Sequence, residues 1–251
     1  MTHTGQKGLA AAGPTPPKPW GIADMLWEAI IGGLTVLTFW QTYVAAIEYL
    51  AIVFIPMALM GAAMERSPSA GMPFGCLGMF LVPVLQVAAM TIFALTLSPI
   101  IFGFAHDAAW DFPWKVITAS PVTFLKLVGV LVAVSFILAF IPVVGALQSL
   151  QTLVLGGIAL AFVLGLMDVA NPGVLKRVTF IPDIWMAIGL LAIGALLSWV
   201  GFMVAGIVVA AFDWKGGGFG QMIGFPIAAV FGFLPMFMYG AWLGAQVRVH
   251  Y

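Results

Sequence analysis

The residues whose chemistry stands out are few, and the sharpest is Glu48, set in Ala45-Ala46-Ile47-Glu48-Tyr49-Leu50-Ala51. A carboxylate in such surroundings is costly in hydrocarbon unless it is paired, protonated or hydrated. Together with Gln86 and Thr91, which also interrupt apolar stretches, it forms a candidate intramembrane polar site for a proton, a cation or a solute. Two registers of the surrounding helix compete: one buries Glu48, and a crossing from 43 to 63 leaves it near the headgroups. Lys126 is the one cation at comparable depth, so a Glu48 to Lys126 contact is open.

Beyond these residues, catalytic patterns are missing. The sequence holds no His-Glu-x-x-His, Gly-x-Ser-x-Gly, Gly-x-x-x-x-Gly-Lys-Ser/Thr or Cys-x-x-Cys. Its three histidines, His3, His106 and His250, lie outside the apolar stretches, so bis-histidine haem and histidine-ligated chlorophyll lack their usual ligands. A single cysteine forms no intrachain disulfide. No catalytic residue, cofactor or metal site is expected, and the chain reads as not an enzyme. Gly216-Gly-Gly218 reads as a flexible hairpin turn rather than a phosphate cradle.

Two further patterns concern contact rather than reaction. Gly220, Gly224, Ala228, Gly232, Gly240 and Gly244 fall at multiples of four residues, with Met236 in the remaining place. Small residues so spaced form a packing ridge along which another backbone approaches closely, either inside the same bundle or on another subunit. Four residues overshoot one helical turn by about 40°, so the ridge winds and its ends face different neighbours. The second pattern is His106-Asp107 with Trp110-Asp111-Phe-Pro-Trp114-Lys115, a possible cytoplasmic docking loop whose aromatics would otherwise anchor it at the headgroups.

The elements that must position these residues follow from composition. The 251 residues are 63% hydrophobic and 7% charged, too little polar surface to cover a water-soluble globule. Nine basic residues balance nine acidic ones, so no net positive field draws nucleic acid. A membrane-crossing helix takes about 20 apolar residues. Ala29 to Met64, Met72 to Ala105, Ile184 to Phe212 and Phe219 to Val247 each supply one crossing. The stretch Leu127 to Met167, extended back to Pro121, supplies two, with Phe140-Ile-Pro-Val-Val-Gly145 as the turn between them. Ser120-Pro121 marks the start of the third helix. Pro56, Pro83, Pro99, Pro226 and Pro235 are candidate bends.

The expected fold is therefore all-α: a polytopic integral membrane protein with a bundle of six transmembrane helices. Residues 1–19, rich in proline and small residues, read as a disordered cytoplasmic tail, and 20–251 as a single six-helix domain. Trp20 to Glu28 suits a short interfacial helix before the first crossing. Six crossings place Lys7, Lys18, Lys115, Lys126, Lys176, Arg177 and Arg248 on one side and Arg66 and Lys215 on the other. The positive-inside rule makes the first side cytoplasmic, with both termini there, in the cytoplasmic (inner) membrane. Trp20, Trp27, Trp110, Trp114, Trp185 and Trp242 fall near that side, Trp214 near the other, and only Trp40 and Trp199 read as deep.

Two functions are compatible with this reading. One is a non-catalytic integral membrane subunit that packs with and scaffolds other membrane proteins of a larger complex; its partners are the lipid bilayer and other subunits, with no nucleic acid. The other is a permease or channel-type transport component for an apolar or small solute, with Glu48 as the polar site. The layout is similar to that of permease subunits of ABC exporters, a likeness of architecture that carries no function by itself.

Overall fold

A computed structural model describes residues 21–66, 71–139, 148–170, 172–212 and 218–249. The tail 1–19, the turn Phe140–Gly145 and most of the glycine hairpin lie outside the described residues. The described chain is all-helical: α1 (Ile22–Val36), α2 (Trp40–Arg66), α3 (Gly71–Ile101), α4 (Phe112–Ala119), α5 (Pro121–Ala139), α6 (Gln148–Ala170), α7 (Ile184–Phe212), α8 (Phe219–Gly232) and α9 (Leu234–Val249). Five of them, α2, α3, α5, α6 and α7, are long and apolar enough to cross a membrane. The pair α8 and α9 makes a sixth if taken as one span bent by 45°. The protein is thus a multi-pass membrane protein by the length and apolarity of its helices.

The stretch Ala29 to Met64, expected as one tilted or kinked helix or as a crossing preceded by an interfacial segment, holds the end of α1 and most of α2. It breaks at Leu37–Phe39, because threonines offer the backbone alternative partners. The Thr38 hydroxyl donates to the Thr35 carbonyl and that of buried Thr42 to Val36, each over 2.7 Å, at carbonyls that the end of α1 leaves without helical donors, while the Thr35 hydroxyl bonds Ile31 within α1. Trp40 consequently stands at the first position of α2 rather than deep in a span. At the other end of α1, the Asp24 carboxylate accepts the Gly21 N–H at 3.2 Å, a charge well placed against the helix dipole.

Proline behaves differently from site to site. Pro56, Pro83 and Pro99 stand within helices that continue through them. Pro235 instead coincides with the break between α8 and α9 at Phe233. Lacking an N–H, Pro235 cannot bond the carbonyl four residues earlier, that of Phe231. The Ser198 hydroxyl of α7 takes that carbonyl at 2.7 Å, so the break leaves no orphan there.

Lipid is as apolar as leucine, so helices in a membrane associate through close fit rather than through escape from water. The core is α3 and α9. In α3, 72% of the spanning window is buried, against 17% in α2 and α7 and 22% in α5, which places those three at the periphery. Phe93, Leu95, Leu97, Ile101, Leu234, Met236 and Phe237 are almost fully enclosed. Glycine permits the closest approaches: a Cβ on Gly32 of α1 would overlap Ala241 of α9, and one on Gly156 of α6 would overlap Met236. On α7, Leu190, Gly194, Ser198, Gly201 and Ala205 form a buried stripe; Gly194 and Ser198 meet Pro235 and Phe231 at the bend.

Three segments share one end of the bundle. Arg248, at the end of α9, donates to the Phe102 carbonyl after α3. Gln246 exchanges two hydrogen bonds with the backbone of Thr179, between α6 and α7. The Tyr239 hydroxyl donates to the Phe180 carbonyl at 2.6 Å. The loops following α3 and α6 and the last turn of α9 are therefore neighbours.

Candidate functional site

The polar residues expected to act together are not together. Gln86 lines a cleft, and neither Glu48 nor Thr91 does. Thr91 is buried, but its hydroxyl bonds the Val87 carbonyl of its own helix at 2.8 Å, the usual way a helix absorbs a threonine. Glu48 is half-buried, eight residues from the start of α2 and so about 12 Å along its axis. Among the described residues it makes no ion pair with Lys126.

The cleft has a volume of about 570 Å³, in the range that holds a single small ligand. Its walls come from six helices, α2, α3 and α5 to α8, closed by Phe233 at the bend. Most of the lining is apolar, with Val53, Met57, Met90, Leu155, Phe202 and Phe225 among it. The polar members are Tyr49, Gln86, Ser135, Gln151 and Thr152, and among the described residues none that lines the cleft is an acid, a lysine, an arginine or a histidine. The Gln151 amide donates to the Ser135 hydroxyl at 3.2 Å, tying α6 to α5.

The polar members stand at different places along their helices. Gln151 is three residues from the start of α6 and Ser135 four from the end of α5, whereas Gln86 is fifteen residues into α3, about 22 Å along its axis, beside Tyr49. Phe233 belongs to an aromatic cluster, with Phe93 at 4.6 Å and Tyr49 edge-on at 5.0 Å between ring centroids. Phe54 of α2 and Phe225 of α8 stack at 6.3 Å and 10°; both line the cleft and both are about half exposed, so they form its rim.

Sequence reasoning singled out Gln86 and missed Tyr49, Ser135, Gln151 and Thr152. The signal was present: Ser135, Gln151 and Thr152 interrupt the long uncharged stretch in the way Gln86 interrupts its own.

The glycine ridge is occupied within the chain. A Cβ on Gly224 would overlap Val209 of α7, and one on Gly240 would overlap Ile101 of α3 and Leu160 of α6. Gly244 faces the Phe102 backbone, and Gly220 is buried. Gly232 alone looks into space, its nearest neighbour being the tip of Phe202 at 3.6 Å. The two ends face different helices because the bend at Phe233 adds to the winding of the ridge.

The aromatic loop folds back onto the bundle. Asp107 accepts a hydrogen bond from Gln41 at 3.3 Å, the His106 ring lies 5.9 Å from Phe39, and the Ala109 N–H bonds the Thr96 carbonyl at 2.9 Å. Both side-chain contacts fall on the break between α1 and α2. Trp110 packs against the core, while Asp111 and Lys115 pair in the open at 3.7 Å, a contact of little energetic weight. Phe112–Ala119 forms a short helix, α4, with Trp114 half exposed. Trp27 and Trp185 are likewise exposed, but so are Trp40 and Trp199, which were expected deep, and Trp242, expected near the interface, is buried in the bundle.

Among the described residues no three of His, Cys, Asp and Glu cluster as a metal would require. Comparison with protein-family profiles, curated sequences and solved structures returned no match to this chain.

Proposed function

We propose that this chain is a non-catalytic integral membrane component that admits an apolar solute to the cleft beneath Phe54 and Phe225. In this reading the bent pair α8–α9 is the sixth crossing, and α1 rests against α9 and α7 on the cytoplasmic side. Both termini face the cytosol across the inner membrane, where the positive-inside rule puts the loops carrying Lys115 and Lys176. The observation that carries the reading is the cleft itself: enough room for one small molecule, apolar walls, and a few neutral hydrogen-bonding groups, which is how small-molecule sites are built.

The test is saturable binding of an apolar naphthylamine dye by the full chain in nanodiscs. Gly232→Leu projects new atoms into the cleft and is expected to abolish binding, whereas Glu48→Gln, outside the cleft, leaves it unchanged. Saturable binding that persists in Gly232→Leu overturns the reading.

A role as a subunit of a larger complex is favoured by a separate observation, the bare apolar faces of α2, α5 and α7. Lipid covers such faces equally well, and the glycine ridge, which would have served a partner, is already filled. Co-purification of a stoichiometric membrane partner in mild detergent would establish this second role.

A further inference from the structure

The exposed faces of α2 and α5 each carry one charge. Among the described residues, Glu48 and Lys126 are the two charged side chains that stand within a spanning helix away from its ends, and neither makes an ion pair inside the chain. Glu48 lies about 12 Å along α2 from Trp40, and Lys126 about 8 Å along α5 from Pro121. A charge at such depth needs a partner, a proton or water. We propose that each is the other's partner between two copies of this chain, the outer face of α2 in one copy packing on the outer face of α5 in the next.

The two helices have matching directions. Gln41, in the first turn of α2, donates to Asp107 in the loop that leads into α4, and α5 starts two residues after α4 ends. Both helices therefore set out from the same end of the bundle. Rotation about an axis normal to the membrane keeps that end on one side in every copy, so α2 and α5 of neighbouring copies run parallel. With their starts level, the two charges differ in depth by about 4 Å, within reach of a lysine stem.

Their faces match in register as well. Setting Lys126 against Glu48 in parallel helices sets Ala133 against Ile55 and Ile137 against Leu59, each pair seven or eleven residues further on and so on the same face. All four are exposed. Gly129, three residues after Lys126, has open space where a Cβ would stand, so nothing in its own chain fills the approach. Small residues on one helix opposite larger ones on another give the close fit on which association in lipid depends. One alignment thus satisfies both charge and shape.

Lipid answers only part of this face. A lysine snorkels to the headgroups, but the shorter stem of Glu48 reaches less far. A second copy carries an answering charge for both. Phe54 stands about 120° round α2 from Glu48, so the contact leaves the mouth of the cleft open.

The experiment uses the full chain in phosphatidylcholine liposomes, with energy transfer between donor and acceptor copies labelled through a C-terminal tag. The expected result is saturable association that Glu48→Lys and Lys126→Glu each weaken at least tenfold and that Glu48→Lys/Lys126→Glu restores to within threefold of the unaltered chain. Helical circular dichroism and the SDS unfolding midpoint report whether each variant is folded. If a reversed charge prevents insertion, the neutral variants decide: Glu48→Gln and Lys126→Gln together are expected to lose at least threefold less than the product of their separate losses. In a Cys76→Ala background, chains with Glu48→Cys mixed with chains with Lys126→Cys are expected to form a disulfide-linked dimer on oxidation. Energy transfer no greater than that of a monomeric membrane protein at the same density would overturn the proposal and leave lipid as the cover of both faces. Association that none of these substitutions changes would overturn the pairing. A disulfide formed within one doubly substituted chain, and not between the mixed chains, would overturn it in favour of a contact inside the protein.

Discussion

The Ser198 hydroxyl donates to the Phe231 carbonyl over 2.7 Å, from the middle of one membrane helix to the last turn before a break in another. That carbonyl has lost its helical donor to Pro235. Gly194 and Gly201 flank Ser198 on the same face and let the bent helix approach, so α7 acts as a cradle for the bend. Ser198→Ala is expected to lower stability by roughly 1 kcal/mol, in line with single polar contacts between membrane helices. An SDS unfolding titration measures it, and Ser198→Thr, which keeps the hydroxyl, is expected to lose less.

The ridge predicts a contrast between positions of one spacing. Gly240→Leu drives a side chain into Ile101 and Leu160 at the core and is expected to cost about 1–3 kcal/mol or to prevent folding. Gly232→Leu enters open cleft and is expected to cost less than about 1 kcal/mol while closing the site. Comparing the two unfolding curves decides it: equal losses would contradict the assignment of Gly232 to the cleft.

Phe54 and Phe225 stack at the rim without blocking the polar groups below them. Phe225→Ala is expected to speed release of a bound apolar probe severalfold, with a smaller change in affinity, since the wall beneath is intact. Stopped-flow displacement gives the rate directly. An unchanged rate would place the route of access elsewhere.

Tyr239 and Gln246 hold the segment between α6 and α7 against α9. Tyr239→Phe removes a 2.6 Å hydrogen bond and leaves the Phe180 carbonyl without this donor, for a loss of about 1 kcal/mol. The local consequence is faster hydrogen exchange at residues 178–180, measurable by mass spectrometry, while exchange in α3 stays slow.

The shared end of the bundle makes a topological prediction. In a Cys76→Ala background, Lys115→Cys and Lys176→Cys are expected to react with a membrane-impermeant maleimide from one and the same side of sealed vesicles. Reaction from opposite sides would contradict the packing of Arg248 on Phe102 and of Gln246 on Thr179.

The all-helical class, the apolar spans and the start of α5 at Pro121 were legible in the residues alone, because hydrocarbon forces each span to satisfy its backbone within itself. Length and apolarity are local properties, and a single chain displays them. Whether a helix breaks is not local. Pro83 lies in a continuing helix, while Pro235 accompanies a bend whose freed carbonyl, that of Phe231, finds Ser198, thirty-three residues away. Thr38 and Thr42 were visible as residues, but their part in the end of α1 depended on hydroxyls turning to the carbonyls of Thr35 and Val36.

The glycine spacing likewise announced close approach, while only the assembled bundle decided that α3, α6 and α7 fill the ridge and that Gly232 is left facing space. The cleft is the extreme case. Its polar groups come from four helices, α2, α3, α5 and α6, and nothing in the sequence distance between Gln86 and Gln151 records that they line one space. Polarity within a span was readable from the chain because its cost is paid residue by residue, whereas convergence is a property of packing and belongs to the tertiary structure.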